Sequence, residues 1–280
     1  MATRPGSTSG IKGALFLLSI LVLSLVAPAQ AAGARIIVLA QGYGQPDDLA
    51  WGPNGAIYFS DFGNSALNQL TPQGRKHVVL AELNKPEGII VRKDGSIIIA
   101  EQGPNQLLWI NPQSGAKRVL ATIPNPSSRA GIDGIARDPH DGSLIVPDSP
   151  SGRVLRLTAS GQLLRIQATG LGRPVSALAL ADGSMIVVDE TLNAALHIDA
   201  SGRVRQIGGF LSIPDDIVSD GAAGFYITCL GDNTLRHLDS NGGITLVAAD
   251  LHNPQGLLRR PNGELIVAEE DANQIVAIQI

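Results

Sequence analysis

Prolines recur in this sequence at 46, 86, 174, 214 and 254, at intervals of 40, 88, 40 and 40 residues. A unit of about that length cannot bury an apolar face alone and is stable only against copies of itself. The doubled interval is filled by Gly131-Ile132-Asp133-Gly134. That segment aligns with Lys85-Pro86-Glu87-Gly88 and Asn253-Pro254-Gln255-Gly256, isoleucine replacing proline. The chain therefore carries six units.

Each unit repeats one order: an apolar strand after the proline motif, a tight turn, a β-branched strand ending in an acidic residue, a loop, and two further strands. The first turns hold Asn54-Gly55, Asp94-Gly95, Asp141-Gly142, Asp182-Gly183 and Asn262-Gly263, dipeptides that tolerate the positive φ angles of two-residue hairpins; the fifth unit has Gly221 to Gly224 instead. Strands such as Ser96 to Ala100 and Glu264 to Ala268 are short and β-branched, as buried strands are. A second set of turns contains Gln73-Gly74, Ser114-Gly115, Ser160-Gly161, Ser201-Gly202 and Asn241-Gly242. Four strands per unit make a propeller blade. The sixth unit stops at Ile280 after its third strand, and Ala34 to Ala40 matches the fourth strands of the others. The sequence thus predicts an all-β, six-bladed β-propeller over residues 32–280, its last blade closed by the N-terminal strand; a solenoid would not need that match.

Residues 1–31 differ in kind. Arg4 and Lys12 precede an apolar run from Ala14 to Val26, and Ala29-Gln30-Ala31 has the spacing of a signal-peptidase site. A cleaved export signal is expected, hence a secreted or periplasmic protein; a retained N-terminal anchor is the alternative. The single cysteine, Cys229, forms no intrachain disulfide. Loss of Arg4 and Lys12 takes the formal charge from −4 to −6, leaving no basic footprint for nucleic acid or an anionic membrane. The expected partner is a small molecule at the channel mouth, and the expected state a monomer.

Acidic residues fall where inner strands start and second strands end, two places that share one face of a propeller. Asp47, Asp48, Glu87, Asp133, Asp215 and Asp216 stand at the first. Asp61, Glu101, Asp148, Asp189, Glu190, Glu269 and Glu270 stand at the second, so that 13 of the 25 acidic residues gather near one mouth. Carboxylates packed this way need hydrogen bonds, protons or a cation. Without a cysteine or histidine cluster, the cation of choice is an oxygen-loving divalent one, calcium first. The strand-end set has a structural alternative, accepting hydrogen bonds from loop amides. Among the histidines, His197 and His237 occupy equivalent repeat positions, His77 lies on an outer strand, and His140 flanks a turn. Only His252 belongs to the acidic face. Trp51 and Trp109 are read as packing residues, and no nucleophile elbow, phosphate loop or zinc spacing is present.

The segments Pro46-Asp47-Asp48-Leu49-Ala50-Trp51, Pro86-Glu87-Gly88, Ile132-Asp133-Gly134 and Pro214-Asp215-Asp216 resemble blade starts of the regucalcin and gluconolactonase superfamily, over essentially residues 34 to 280. The resemblance implies a divalent cation held by residues at blade starts, and lactone hydrolysis. Asp47 matches the family's glutamate with a shorter side chain, and Asp215 its aspartate. The family's asparagine falls near Val175, which offers no ligand atom, so Glu87 or Asp133 must substitute to complete the set. The shorter motifs also resemble NHL repeats and the streptogramin lyase propeller, whose chemistry depends on histidines near the mouth; here only His252 is available. WD-type pairs are absent.

The expected metal ligands are therefore Asp47, Glu87, Asp133 and Asp215, with Asp215 and Asp133 as catalytic residues and His252 and Arg129 contacting substrate. Two functions follow: metal-dependent hydrolysis of a lactone or ester, or a non-catalytic NHL-like module that binds a ligand or protein at the acidic mouth.

Overall fold

The computed structural model describes residues 1–2, 33–125 and 130–280. The expected export signal, beyond its first two residues, and Arg129 lie outside the described residues. Six four-stranded antiparallel sheets account for every described strand, and five of them run in chain order from inner to outer strand. The first blade comprises Pro46–Trp51, Ile57–Asp61, Ala66–Leu70 and Lys76–Leu80. The sixth draws on both ends of the chain, Pro254–Arg259, Leu265–Glu269 and Gln274–Gln279 being completed by Arg35–Gln41. Ile36 faces Ile278 and Val38 faces Val276 in that closure, as the missing fourth strand required.

The apolar core is divided among the blade seams. Six buried clusters each join two neighbouring sheets, for example Leu49 and Phe59 of the first blade with Ile266 and Ile275 of the sixth. Another joins Ile98 and Leu107 of the second with Leu144 and Val146 of the third. Each fully buried Leu, Ile or Phe contributes roughly 1.5–3 kcal/mol, so closing the ring adds a seam as well as an edge. Trp51 packs on the seam between the sixth and first blades, and Trp109 lies beneath the Arg118 guanidinium. Cys229 is buried, and burial pushes its thiol up to about 11, which leaves it unreactive.

Two features depart from the sequence reading. Only Asn54-Gly55 has positive φ at both turn residues. In the other Asp-Gly turns glycine alone does, because the aspartate instead accepts from a nearby serine: Asp94 from Ser96, Asp182 from Ser184. The inner strand of the third blade is reduced to Ala136–Arg137. Its preceding segment bonds sideways, Gly88 N donating to Asp133 O and Gly134 N to Val175 O at 2.8 Å. No helix among the described residues is long and apolar enough to cross a membrane.

Candidate active site at the acidic mouth

Local geometry at the prolines aims the acidic residues inward. Pro46 pairs with Asp61, Pro86 with Glu101, Pro214 with Cys229 and Pro254 with Glu269, and after each proline the register slips before pairing resumes three residues on. Proline has no N–H to give the ladder, so pairing breaks there, and the bulged residues project toward the axis. Hydroxyls satisfy the freed amides: Asp48 N donates to Ser60 Oγ at 3.0 Å and Asp216 N to Thr228 Oγ1 at 2.9 Å.

The two acids of each Asp-Asp pair then do different work. Asp48 accepts from its own neighbour Leu49 N and, across the seam, from Ile89 N at 2.7 Å. Asp216 likewise accepts from Leu257 N at 2.7 Å, and from Ile217 N and Ser176 Oγ. These second acids are clamps between blades. The first acids, Asp47 and Asp215, make no hydrogen bond to a backbone amide among the described residues and face the central carboxylate groups.

Most acids ending the second strands are structural. Asp61 accepts from Gly44 N, Gln45 N and Asn64 N, Asp189 from Gly172 N, Arg173 N and Leu192 N, and Glu101 from Asn84 N. Asp148 pairs with Arg153, and Glu269 accepts from His252 N. Glu190 and Glu270, one residue further on, turn to the mouth. Glu270 is held by Gln45, Asn253 and Gln255.

At the centre, Asp47, Glu87 and Asp133 each offer an oxygen within 4.8 Å of the others, and so do Asp133, Glu190 and Asp215. The two groups share Asp133. All four expected metal ligands are thus brought together, and Glu190 joins them. Asp47 and Glu87 thus stand side by side, and Gln102 Nε2 donates to Glu87 at 2.7 Å. Burial first raises both carboxyls well above the usual range, with repulsion from Asp133 next for Asp47, and from Asp47 and then Asp133 for Glu87. Asp215 is raised well above it for the same reasons, burial and then Asp133 and Asp47, and it makes no hydrogen bond to any described residue. A cavity of about 10 Å³ lies among Asp47, Asp133, Val175 and Asp215, the size of one water or ion.

Sequence reasoning missed the basic residue here. Arg173 Nη2 reaches Asp133 at 2.8 Å and Nη1 pairs with Glu190. The two carboxylates hold the guanidinium more firmly charged than usual in spite of its burial, while Asp133 and Glu190 remain only modestly raised by their own burial because Arg173 opposes it. The available signal was position: Arg173 precedes Pro174 as Lys85 precedes Pro86. His252 lies outside the carboxylate groups, its ring 60% exposed with Nδ1 3.5 Å from Glu269.

Oxygen-only donors, several of them buried carboxyls and one without a hydrogen bond to any described residue, are the donor chemistry that a hard divalent cation takes. Val175 occupies the corresponding place in the fourth blade and is buried without contributing a donor. An apolar rim borders the cluster. Phe210 is 100% exposed, Leu192 49% and Ile213 41%. Asn193 joins their two loops, its backbone oxygen accepting from Leu211 N and its side chain from Ile213 N.

No protein-family model matches the chain, and no curated protein does. Solved structures match its shape. A gluconolactonase from Xanthomonas campestris is 15% identical and superposes with a TM-score of 0.73 over 89% of this chain and 91% of its own. Virginiamycin B lyase from Staphylococcus aureus is 18% identical, with a TM-score of 0.67 over 88% and 87%. An auxiliary nutrient binding protein from Bacteroides thetaiotaomicron is 14% identical, with a TM-score of 0.73 over 88% and 77%. The class these likenesses and the blade count define is a six-bladed β-propeller of gluconolactonase-like architecture. Proteins described as a gluconolactonase, a lyase and a nutrient binding protein share it, so function must come from the site.

Proposed function

We propose that this propeller is a gluconolactonase-like hydrolase that uses a divalent cation, calcium first among candidates, to cleave a lactone or ester at its acidic mouth. The observation that carries the reading is the pair of carboxylate groups sharing Asp133, within 4.8 Å, beside an Asp215 that has no hydrogen bond to any described residue. Asp47, Glu87 and Asp133, with Asp215 and Glu190 adjoining, would hold the cation. When bound, it supplies charge to polarise a substrate carbonyl. Asp215 accepts the proton of the attacking water, its burial beside Asp133 and Asp47 raising its affinity for protons above that of an ordinary carboxylate. Arg173 opposes the effect of burial on Asp133 and Glu190 and orients both, so Asp133 serves better as a ligand than as a base. Gln102 orients Glu87. The rim of Phe210, Leu192 and Ile213 receives the apolar part of the substrate, and the reading includes export of a monomer by residues 1–31.

Calorimetric titration of calcium, zinc and manganese into chelator-treated protein tests this, followed by lactone and ester assays. Sub-millimolar binding that is lost in Asp47→Asn and Asp215→Asn, with hydrolysis that follows bound metal, supports it. Absence of cation binding overturns it.

The exposed Phe210 favours a second reading, a non-catalytic module whose acidic ring and apolar rim hold an amphipathic cation or a protein. Under that reading Phe210→Ala abolishes ligand capture and no substrate is turned over.

A further inference from the structure

Away from the acidic mouth, where the first turns lie, the seam between the fourth and fifth blades opens into a cavity of about 370 Å³. That is room for a small organic molecule. Leu180, Ile207 and Phe225 supply apolar wall, while Asp239 and Ser240 come from the fifth blade's outer turn. His197 and Arg205 line it from the fourth blade, directly opposite one another on neighbouring strands and so on one face of the sheet.

The preceding seam carries the same groups in a filled arrangement. Between the third and fourth blades, Arg165, Asp199 and Ala200 stand 40 residues before Arg205, Asp239 and Ser240. Gln167 bridges them: its Oε1 accepts from Arg165 Nε at 2.7 Å, and its Nε2 donates to Asp199 O at 2.9 Å. One seam on, that position is Ile207, which can do neither. The arginine and the turn carbonyls are thus kept without the amide that joins them. Arg205 is exposed, and its guanidinium has no hydrogen bond or ion pair with any described residue. Arg118, at the same place in the second blade, lies over Trp109.

The histidine has lost a partner as well. In the fifth blade His237 Nε2 pairs with Asp220 at 2.9 Å. Leu180 holds the place of Asp220 in the fourth blade, and the His197 ring makes no hydrogen bond with any described residue. Asp182, the acid within electrostatic reach of His197, already accepts from Ser184 N and Oγ. One wall of the cavity therefore offers a guanidinium and an imidazole N–H. The other offers the negative charge of Asp239, whose Oδ1 accepts from Asn241 N and Gly243 N, and the carbonyls of its turn.

We propose that this cavity is a second binding site, separate from the acidic mouth, for a free α-amino acid with an apolar side chain. The carboxylate takes Arg205 and His197, and the ammonium takes the side of Asp239 and Ser240, the two tasks that the Gln167 amide performs one seam earlier. The side chain lies against Leu180, Ile207 and Phe225. The site does not depend on whether the mouth hydrolyses anything.

The test is calorimetric titration of the purified protein with L-phenylalanine, beside L-phenylalaninol, which lacks the carboxylate, and 3-phenylpropionate, which lacks the ammonium. Saturable binding of L-phenylalanine at least tenfold tighter than either analogue is expected. Arg205→Thr, which installs the fifth blade's own residue at an exposed place, should weaken L-phenylalanine about tenfold and leave L-phenylalaninol unchanged. Ile207→Gln should supply the third blade's amide and block the site; Arg205→Thr decides the matter if that half-buried change unsettles the fold. Asp215→Asn, at the mouth, should alter none of this. Equal affinity for the probes, no saturable binding, unchanged affinity in Arg205→Thr or in a folded Ile207→Gln, or lost affinity in Asp215→Asn would overturn the proposal.

Discussion

Arg173 Nη2 donates to Asp133 Oδ2 at 2.8 Å across the seam between the third and fourth blades, while its other terminal nitrogen holds Glu190. One guanidinium thus compensates the side of the acidic ring where the fourth blade's own inner position is Val175. Replacing it by glutamine leaves two carboxylates uncompensated. Breaking a buried pair costs about 3–5 kcal/mol; with the Arg173 side chain a quarter exposed, about 2–3 kcal/mol is expected for Arg173→Gln in chelator. The same variant should bind calcium more tightly than the native chain, since Asp133 and Glu190 become available. Denaturant unfolding with and without calcium reads both effects, and a variant equally stable in chelator contradicts the pairing.

The pH profile has a defined sign. Asp47, Glu87 and Asp215 bind protons more readily in the folded chain than in the unfolded one. The native state therefore holds more protons above the ordinary carboxylate range, and stability in chelator falls as pH rises from about 4 through the native values. Asp94, Asp182 and Asp239 are shifted down by hydrogen bonds, and their contribution disappears in the opposite direction, as pH drops below that range. Melting temperature should peak in mild acid and decline toward pH 8, with calcium removing the decline. A melting temperature that climbs steadily to pH 8 in chelator would rule this out.

Neighbouring acids should respond oppositely. Asp48→Asn takes one of the two carboxyl acceptors away from Leu49 N and, one blade away, Ile89 N, and should cost about 1–3 kcal/mol. Asp47→Asn and Asp215→Asn remove repulsion from the channel and should leave the chelated protein as stable as before or more so, while weakening calcium at least tenfold. Parallel melts of the three variants decide the matter, and equal losses in all three would refute the division between clamp and ligand.

Phe210 carries a strained backbone for no packing return, since it is fully exposed with φ at 62°. Gly42 and Gly170 hold the equivalent positions of two other blades with φ of 82° and 77°. Phe210→Gly is expected to raise stability by about 0.5–1 kcal/mol and to raise KM for apolar substrates with little change in kcat. Loss of stability would mean that the ring is held by contacts of its own.

The fold was legible because proline spacing, Asp-Gly turns and a spare first strand are local signals that repeat, and six copies average out any one exception such as Ile132. The acidic ring was legible for the same reason, as one repeat position occupied by Asp47, Glu87, Asp133 and Asp215. The division of labour within it was not. Asp47 and Asp48 are indistinguishable by type and differ only in which side of the bulge each faces. Arg173 read as an ordinary loop residue because its pairing depends on a neighbouring blade. Glu190 and Glu270 were grouped with Asp189 and Glu269, although one step along the chain exchanges loop amides for the channel.

The pairing of Arg35–Gln41 with Gln274–Gln279 also has a kinetic consequence. The strand Arg35–Gln41 has no place to dock until Gln274–Gln279 has been made, so the sixth sheet is completed late. Contacts that span nearly the whole sequence make the final step slow, and until it occurs two blades present unpaired edges. A chaperone that held residues 35–41 would keep the entire ring open, which makes this strand the point at which folding of the protein can be timed.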